Sequence, residues 1–419
     1  MTQPSLALGP VPDHWASAPL RHCVELRNDR TRHESDLGPL IGLEHVESWT
    51  GRLLSRPEDV ETEGQHSLFR RGDVLFGKLR PYLAKAHRAQ QDGACSAELL
   101  VLRPRAIDAG FLLYCLLSAP WVSLIDSSTF GSKMPRANWE FIGHQILPVP
   151  SMPEQRAIAD FLDSETERID ALVAKKQRLI ELLQEKRTAL ISHAVTKGLD
   201  PDAPMKDSGI EWFGRIPEHW PVVRLGHFAR VHNGSTPSRE DTAYWLDGTV
   251  PWLASTKVNE DRVTSPSELI SETALRECSL TLMPAGSVII GLVGQGRTRG
   301  MAALLGIEAT INQNMAAIIP RRRIMGRYLQ YQLESMYIPI RESGRGANQA
   351  ALNCELVADL HLPSPPPAEQ VAIARFLDER TEAIRALVDK TRRSIDLLGE
   401  SRSALITAAV TGQIDVGAQ

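Results

Sequence analysis

Residues 154–196 read EQRAIADFLDSETERIDALVAKKQRLIELLQEKRTALISHAVT, and residues 369–411 read EQVAIARFLDERTEAIRALVDKTRRSIDLLGESRSALITAAVT. The two stretches align without a gap at a constant offset, and well over half of their positions are identical. A gapless internal repeat of this length decides the architecture before any other feature is read. Neither copy contains proline, and the only glycine in them is Gly399. Apolar residues recur three and four apart, so each copy predicts one long helix with an apolar stripe. The expected stripe is Leu162, Ile169, Leu172, Leu179, Leu183 and Leu190 in the first copy. In the second it is Leu377, Ile384, Leu387, Leu398 and Leu405, with Ser394 standing where the first copy has Leu179. Val173, Ile180 and Ile191, with Val388, Ile395 and Ile406, widen it. At about 1.5 Å rise per residue, roughly 43 residues make a rod of about 65 Å. A stripe that long must be buried, and the other copy is the cheapest partner, giving a two-helix coiled coil; the alternative is two amphipathic helices each packed on its own domain.

The flanks of the repeat carry their own signals. Ser151 followed by Glu154 is a capping box for the first helix. Gly198 and Gly412 sit just past the two ends, where a helix can stop in a left-handed turn. A proline-rich hinge precedes each helix, Leu147-Pro148-Val149-Pro150 with Pro153, and Leu362 to Pro367. Proline there fixes the entry and forbids helix upstream. Pro12-Asp13-His14-Trp15 opens the first half and Pro217-Glu218-His219-Trp220 the second. The plan is a PxHW entry, a globular segment, a hinge and a long helix, all made twice. Gly198 to Gly209, rich in Asp, Pro and Gly, reads as the linker. The expected divisions are a domain over 1–150, helix and linker over 151–200, a second domain over 201–364, and the last helix over 365–419.

The globular segments, about 21–147 and 221–362, do not align convincingly with each other. Short apolar or β-branched runs punctuated by Gly and Pro predict mixed α/β domains (α+β in the broad sense). A turn, short strand and basic loop are expected over Arg71–Tyr82, strands at Ser96–Leu102 and Ser287–Leu292, a further apolar run at Met315–Ile319, and a helix over Phe111–Leu117. Like helices carrying unlike domains suggest one common partner and two different targets.

Across 419 residues, 42% are hydrophobic and 23% charged, with a net charge of -4, an ordinary globular composition spanning about two to three domains. No run of about 18 apolar residues and no signal-peptide pattern is present. Five scattered cysteines without a CxxC pair point to a reducing cytoplasm rather than disulfides or structural zinc. Gly291 to Gly296 is spaced GxxGxG, not GxGxxG, and no nucleotide, metalloprotease, hydrolase-elbow, nuclease or amino-methyltransferase motif occurs. Nothing reads as a catalytic constellation, so an enzyme with an unfamiliar site is the weakest reading.

Positive charge gathers in Gly-marked loops: Arg70, Arg71, Lys78, Arg80, Lys85 and Arg88, then Arg297, Arg299, Arg321 to Arg323, Arg327, Arg341 and Arg345. Arginine's planar fork suits phosphates and the guanine edge. The residues chosen as candidate base readers are Lys78, Arg80, Lys133 and Arg136, with Arg297, Arg299, Arg345 and Gln349 in the second segment.

Residues 362–378 (LPSPPPAEQVAIARFLD), the matching Pro153 to Asp163, the opening MKDSGIEW at 205–212 and GDVLFGKLRPY at 72–82 together resemble the specificity subunits of Type I restriction–modification systems. The resemblance covers nearly the whole chain. It implies two target recognition domains, each reading one half of a split double-stranded DNA sequence. It also implies that the long helices form an antiparallel, pseudo-two-fold coiled coil that docks two modification subunits. Adenine methylation with S-adenosylmethionine, and cleavage with ATP and Mg by a restriction subunit, would then belong to those partners. This chain would bind no cofactor or metal and catalyse nothing. The alternative that the residues leave open is a coiled-coil adaptor carrying two protein-binding domains without DNA.

Overall fold

The computed structural model describes residues 8–31, 38–54, 66–129, 131, 133–294, 296–321, 324–344 and 351–416. The chain divides into two compact units, residues up to Arg178 with those from Thr391, and residues Leu179–Lys390. The division cuts both long helices, Met152–Lys197 and Pro367–Val410. Each unit therefore holds one globular domain, the first part of the helix that follows it, and the last part of the other.

In the first unit, an antiparallel sheet runs in the order Val24–Arg27, Leu99–Pro104, Val74–Gly77, Ala86–Arg88. A smaller sheet orders Arg30–Thr31, His66–Phe69, Gly93–Cys95 and Leu40–Ile41, the last pair parallel. Helix Ala109–Leu117 begins at Asp108, whose side chain accepts from the backbone of Gly110 and Phe111, an N-cap. This helix is buried along nearly its whole length, which explains its uninterrupted apolar run. Its core continues into the long helices, with Ile158 and Leu162 from the start of one and Ile406, Ala409 and Val410 from the end of the other.

The second unit repeats the plan. Strands Ala229–Asn233, Met315–Pro320, Val288–Gly291 and Ala302–Leu305 pair antiparallel in that order, with Arg262–Val263 added parallel at the edge. Glu268–Ile270, Val250–Leu253 and Thr310–Ile311 make the smaller sheet. Helix Gly326–Ser335 corresponds to Ala109–Leu117. Ile191, Ala194 and Val195 from the end of the first long helix share its core with Ile373, Ala374 and Leu377 from the start of the second. The larger sheets of the two globular segments thus share a four-strand order that their sequences do not reveal, while the smaller sheets differ. Part of the expected linker is also ordered, since Met205–Asp207 pairs with Arg215–Pro217.

In both units the start of one long helix packs on the end of the other, so the two run antiparallel. The stripe differs in detail from its expected course. It steps alternately by four and three through Leu162, Thr166, Ile169, Val173, Lys176, Ile180, Leu183, Arg187 and Leu190. The second helix uses the equivalent Leu377, Thr381, Ile384, Val388, Thr391, Ile395, Leu398, Arg402 and Leu405. Leu172, Leu179 and Leu387, expected in the stripe, are instead 42%, 40% and 43% exposed. From Ile169 the buried row advances four residues to Val173, as a 3.5-residue average requires, and Leu172 falls on the flank.

Both helices end as the glycines suggest. Gly198 and Gly412 have φ of +73° and +70°. A Cβ on Gly412 would lie 2.6 Å from the Pro12 ring, and one on Gly198 3.2 Å from the Trp220 ring. Each helix end is thus seated against a PxHW motif, where only glycine fits both the turn and the space.

Candidate nucleic-acid interface

Each recognition domain would need a firm seat, and the same contacts supply it in both units. The Tyr114 hydroxyl donates to Asp163 Oδ1 at 2.7 Å and lies 3.1 Å from Thr166 Oγ1. Tyr331 does the same to Asp378 Oδ1 at 2.7 Å, with Thr381 Oγ1 3.3 Å away. Asp163 and Asp378, like Thr166 and Thr381, are equivalent positions of the repeat. Burial pushes both phenols well above their ordinary pKa. The EQ pair at each helix start explains itself in the same way. Buried Gln155 accepts from the Asp108 backbone at 2.7 Å and donates to the Pro150 carbonyl at 2.8 Å. Gln370 accepts from the Met325 backbone at 2.8 Å and donates to Pro365 at 2.9 Å.

Glu154 and Glu369 meet the histidines of the entry motifs, His14 at 3.1 Å and His219 at 2.8 Å. Glu154 also closes the capping box, accepting from the Ser151 hydroxyl at 2.7 Å and the Ser151 backbone at 3.0 Å. The Ser151 hydroxyl, then His14, hold its carboxyl down at about 2. In the second unit the Trp220 indole donates to Glu369 at 2.9 Å as well.

Seated this way, the first domain presents a loop cluster. Arg80 and Ala84 take left-handed backbone, φ 51° and 46°, on either side of the turn Pro81–Leu83. Such geometry in non-glycine residues gathers at functional loops. The Arg80 amide donates to the Pro135 carbonyl at 2.8 Å, the Ala137 amide to Lys78 at 2.9 Å, and Leu79 bridges Arg136. Lys78, Arg80 and Arg136, separate in sequence, are therefore neighbours, with exposed Lys133 three residues before Arg136. Exposed Tyr82 and Met134 add an aromatic and an apolar side chain to the same two loops. The Arg136 fork is held by Glu98 at 3.1 and 2.9 Å.

In the second domain, Arg297 is exposed and Arg299 half-buried. Their loop is braced from the helix side, with the Tyr337 hydroxyl donating to the Arg297 carbonyl at 3.0 Å and Arg341 to the Arg299 carbonyl at 3.4 Å. Arg345 and Gln349 lie outside the described residues. A cluster unread in the sequence stands on the smaller sheet. The Arg239 guanidinium lies 3.6 Å from the Trp245 ring centroid and donates to both Glu268 oxygens, at 2.6 and 2.7 Å. Trp245 packs edge-on against Trp252. No local spacing could announce it, because Arg239, Trp252 and Glu268 come from separate segments.

Several of the basic residues are structural. Lys85 donates to the Leu43 carbonyl at 2.6 Å, Arg88 pairs with Asp163 at 3.2 Å, and Arg327 binds Asp261 and Asp378. Burial opposes the Asp261 charge, but Arg327 and Arg385 outweigh it and hold the carboxyl below its usual range. Arg402, buried in the helix stripe, donates to the Trp49 and Thr50 carbonyls at 2.6 and 3.2 Å. Its repeat equivalent Arg187 pairs with Glu334. Two cations at one repeat position of an apolar row were a readable signal for both. Among the described residues, no group of His, Cys, Asp or Glu is arranged to hold a metal.

Two domains whose larger sheets share one strand order, seated alike on a repeated helix and tipped with unlike loops, define a two-headed recognition subunit. The family model "Type I restriction modification DNA specificity domain" matches residues 66–182 and 217–393, and the chain belongs to that family. The chain is 25% identical over 259 residues to the EcoR124I/EcoR124II specificity subunit of Escherichia coli, a match spanning 60% of this chain and 59% of that subunit. It is 25% identical to the putative MjaX specificity subunit of Methanocaldococcus jannaschii, over 98% of this chain and 96% of that one. A chain in a structure of a type I R-M system, solved for complex assembly and conformational transition, superposes with a TM-score of 0.76 at 19% identity, covering 96% of this chain and 99% of that one. The HsdS subunit of Thermoanaerobacter tengcongensis gives 0.56 at 19% identity, over 96% and 98%. The chain is thus a specificity subunit, and catalysis belongs to other subunits of such systems.

Proposed function

We propose that each recognition domain reads one half of a bipartite double-stranded DNA target, while the antiparallel helices dock two adenine-N6 modification subunits. The observation that carries this reading is the duplicated seat. Tyr114–Asp163–Thr166 and Tyr331–Asp378–Thr381 hold two domains with like larger sheets in one way, while their smaller sheets and loops differ. Identical mounting with unlike tips is what two unlike half-sites require.

In the first domain Lys78, Arg80 and Lys133 contact bases or phosphates, with Arg136 released from Glu98 to do so. In the second, Arg297 and Arg299 lead, joined by Arg345 and Gln349. Phosphate contacts set register and base-edge contacts specify sequence. With a net charge of -4, the chain leaves much of the backbone contact to its partners. S-adenosylmethionine sits on the modification subunits, ATP and Mg on a restriction subunit where one joins, and none on this chain. No single described helix is long and apolar enough to cross a membrane, and the assembly works in the cytoplasm, where its DNA is.

A map of methylated adenines in cells with and without the gene tests the reading. One split motif with a fixed gap should lose methylation on deletion. An unchanged map, with the modification subunit expressed, would overturn it.

A further inference from the structure

Three left-handed residues meet behind the recognition turn of the first domain. Among the described residues five non-glycine positions have positive φ, and three of them are Trp49 at 68°, Arg80 at 51° and Ala84 at 46°. Such backbone is strained and persists only where the surrounding structure over-determines it. Here the Trp49 amide donates to the Ala84 carbonyl at 3.1 Å, so the turn Pro81–Leu83 leans on the tip of a second loop. That loop is closed on itself. Val46 bridges Leu53, and the Thr50 hydroxyl and Arg52 both donate to the Glu47 carboxylate, at 2.8 and 3.0 Å. The last long helix grips its other side. Arg402, its side chain 9% exposed, donates to the Trp49 and Thr50 carbonyls, and Arg402 and Arg52 share Asp170. Trp49 alone therefore stands between helix and turn, its carbonyl accepting from the one and its amide donating to the other.

The second unit makes the same link with different parts. Arg187, at the repeat position of Arg402, binds the Glu334 carboxylate in the last turn of helix Gly326–Ser335. The next helix, Tyr337–Glu342, starts two residues further on. From it the Tyr337 hydroxyl donates to the Arg297 carbonyl at 3.0 Å, and Arg341 to the Arg299 carbonyl at 3.4 Å. One repeat position thus supplies, in both units, a cation holding the element that braces a recognition loop, although one element is a loop and the other a helix pair. A buried row gains nothing for helix pairing from an arginine, whose charge must be compensated there. Its presence in both copies, with unlike partners, points to loop placement.

We propose that Arg402 and Arg187 are positioning residues for base reading. Each fixes the recognition loop of its own unit against the long helices, Arg402 through Trp49, and Arg187 through Glu334 and Tyr337. The inference rests on the recognition role proposed above for the Arg80 turn and the Arg297 loop. A guanidinium reads a base edge only when its fork is aligned with that edge, whereas a phosphate contact tolerates a displaced loop. Loss of either brace therefore lowers discrimination at one half-site and leaves the other unchanged.

Binding of the assembled complex, the full-length chain with its modification subunits, to duplexes bearing the target or each single-base change in it tests this. The ratio of cognate to changed affinity is the readout, because unfolded chain lowers both affinities and leaves their ratio alone. Arg402→Met should lower the ratio about tenfold in the first half-site only, and Arg187→Met about tenfold in the second only. Arg402→Lys, which keeps a cation and one donor, should show a smaller loss of the same one-sided kind and serves if Arg402→Met does not assemble. Tyr337→Phe, which removes one hydroxyl, should reproduce the direction of Arg187→Met. Ratios that these variants leave unchanged, or lower equally in both half-sites, while Arg80→Ala and Arg297→Ala still lower theirs, would overturn the inference and leave the recognition loops standing. Unchanged ratios in Arg80→Ala and Arg297→Ala would remove the recognition reading itself, and this inference with it.

Discussion

The seat of the second domain is a denser version of the first. In the first unit, Asp163 receives Tyr114 and Arg88, the arginine one-third exposed. In the second, Asp378 receives Tyr331 and Arg327, and Arg327, only 13% exposed, also binds Asp261, Gln330 and Tyr331. Arg385 of the long helix reaches Asp261 too, at 3.2 Å. The shared part, tyrosine to aspartate and threonine, is what both domains need in order to be held. The added part teaches that equal geometry can rest on unequal electrostatics. A screened arginine at the first seat contributes little, whereas removal of the largely buried one at the second leaves Asp261 to Arg385 and Asp378 to Tyr331.

The widest contrast follows from that. Arg327→Ala should destabilise the second unit by about 3 kcal/mol, and Arg88→Ala the first by under about 1 kcal/mol. Urea unfolding of each variant measures both, and equal losses would show that the extra partners at the second seat do nothing. Arg402→Met, which leaves the Trp49 and Thr50 carbonyls without this donor and Asp170 with Arg52 alone, should cost about 2–3 kcal/mol.

On the recognition side, Arg80→Ala should cost about 1–3 kcal/mol of binding by the assembled complex and relax one base position in the first half-site only. Methylation maps of the variant show it, and loss spread evenly over both half-sites would demote Arg80 to a phosphate contact. Tyr114→Phe and Tyr331→Phe test the shared part of the seats, and each should cost about 1 kcal/mol. A larger loss at Tyr331 alone would mean that its hydroxyl works through Arg327.

The smallest effect concerns pH. The Glu154 pKa is lowered to about 2, so its contribution is complete above the ordinary carboxylate range and fades as pH falls through that range toward 2. Melting temperature measured from pH 6 to pH 2.5 should therefore fall less steeply in Glu154→Gln than in wild type, and parallel curves would contradict the capping role.

How legible these features were in the sequence depends on their range. The capping box, the glycine stops and the proline hinges act over four or five residues, so the residues themselves announce them. The phase of the buried row was harder to read. Leu172 and Val173 are both apolar, and only packing against a second helix decides which faces inward. The loop cluster was half legible: glycine and proline marked Lys78, Arg80 and Arg136, but their adjacency comes from the bridge between Leu79 and Arg136. Arg88 and Arg327 looked like surface charge because their partners lie far along the chain, on the long helices and at Asp261.

By itself, then, the sequence determined that this chain is one plan made twice, with two long helices, their ends, and two unlike domains between. Those facts are periodic or local, and a repeat displays them without coordinates. Only the tertiary structure decided that the larger sheets of the two domains share a strand order, that each unit borrows the end of the other's helix, and which cations hold the fold and which face outward. Those outcomes depend on which distant groups meet, and burial and pairing at such meetings are fixed by the whole fold rather than by any stretch of it.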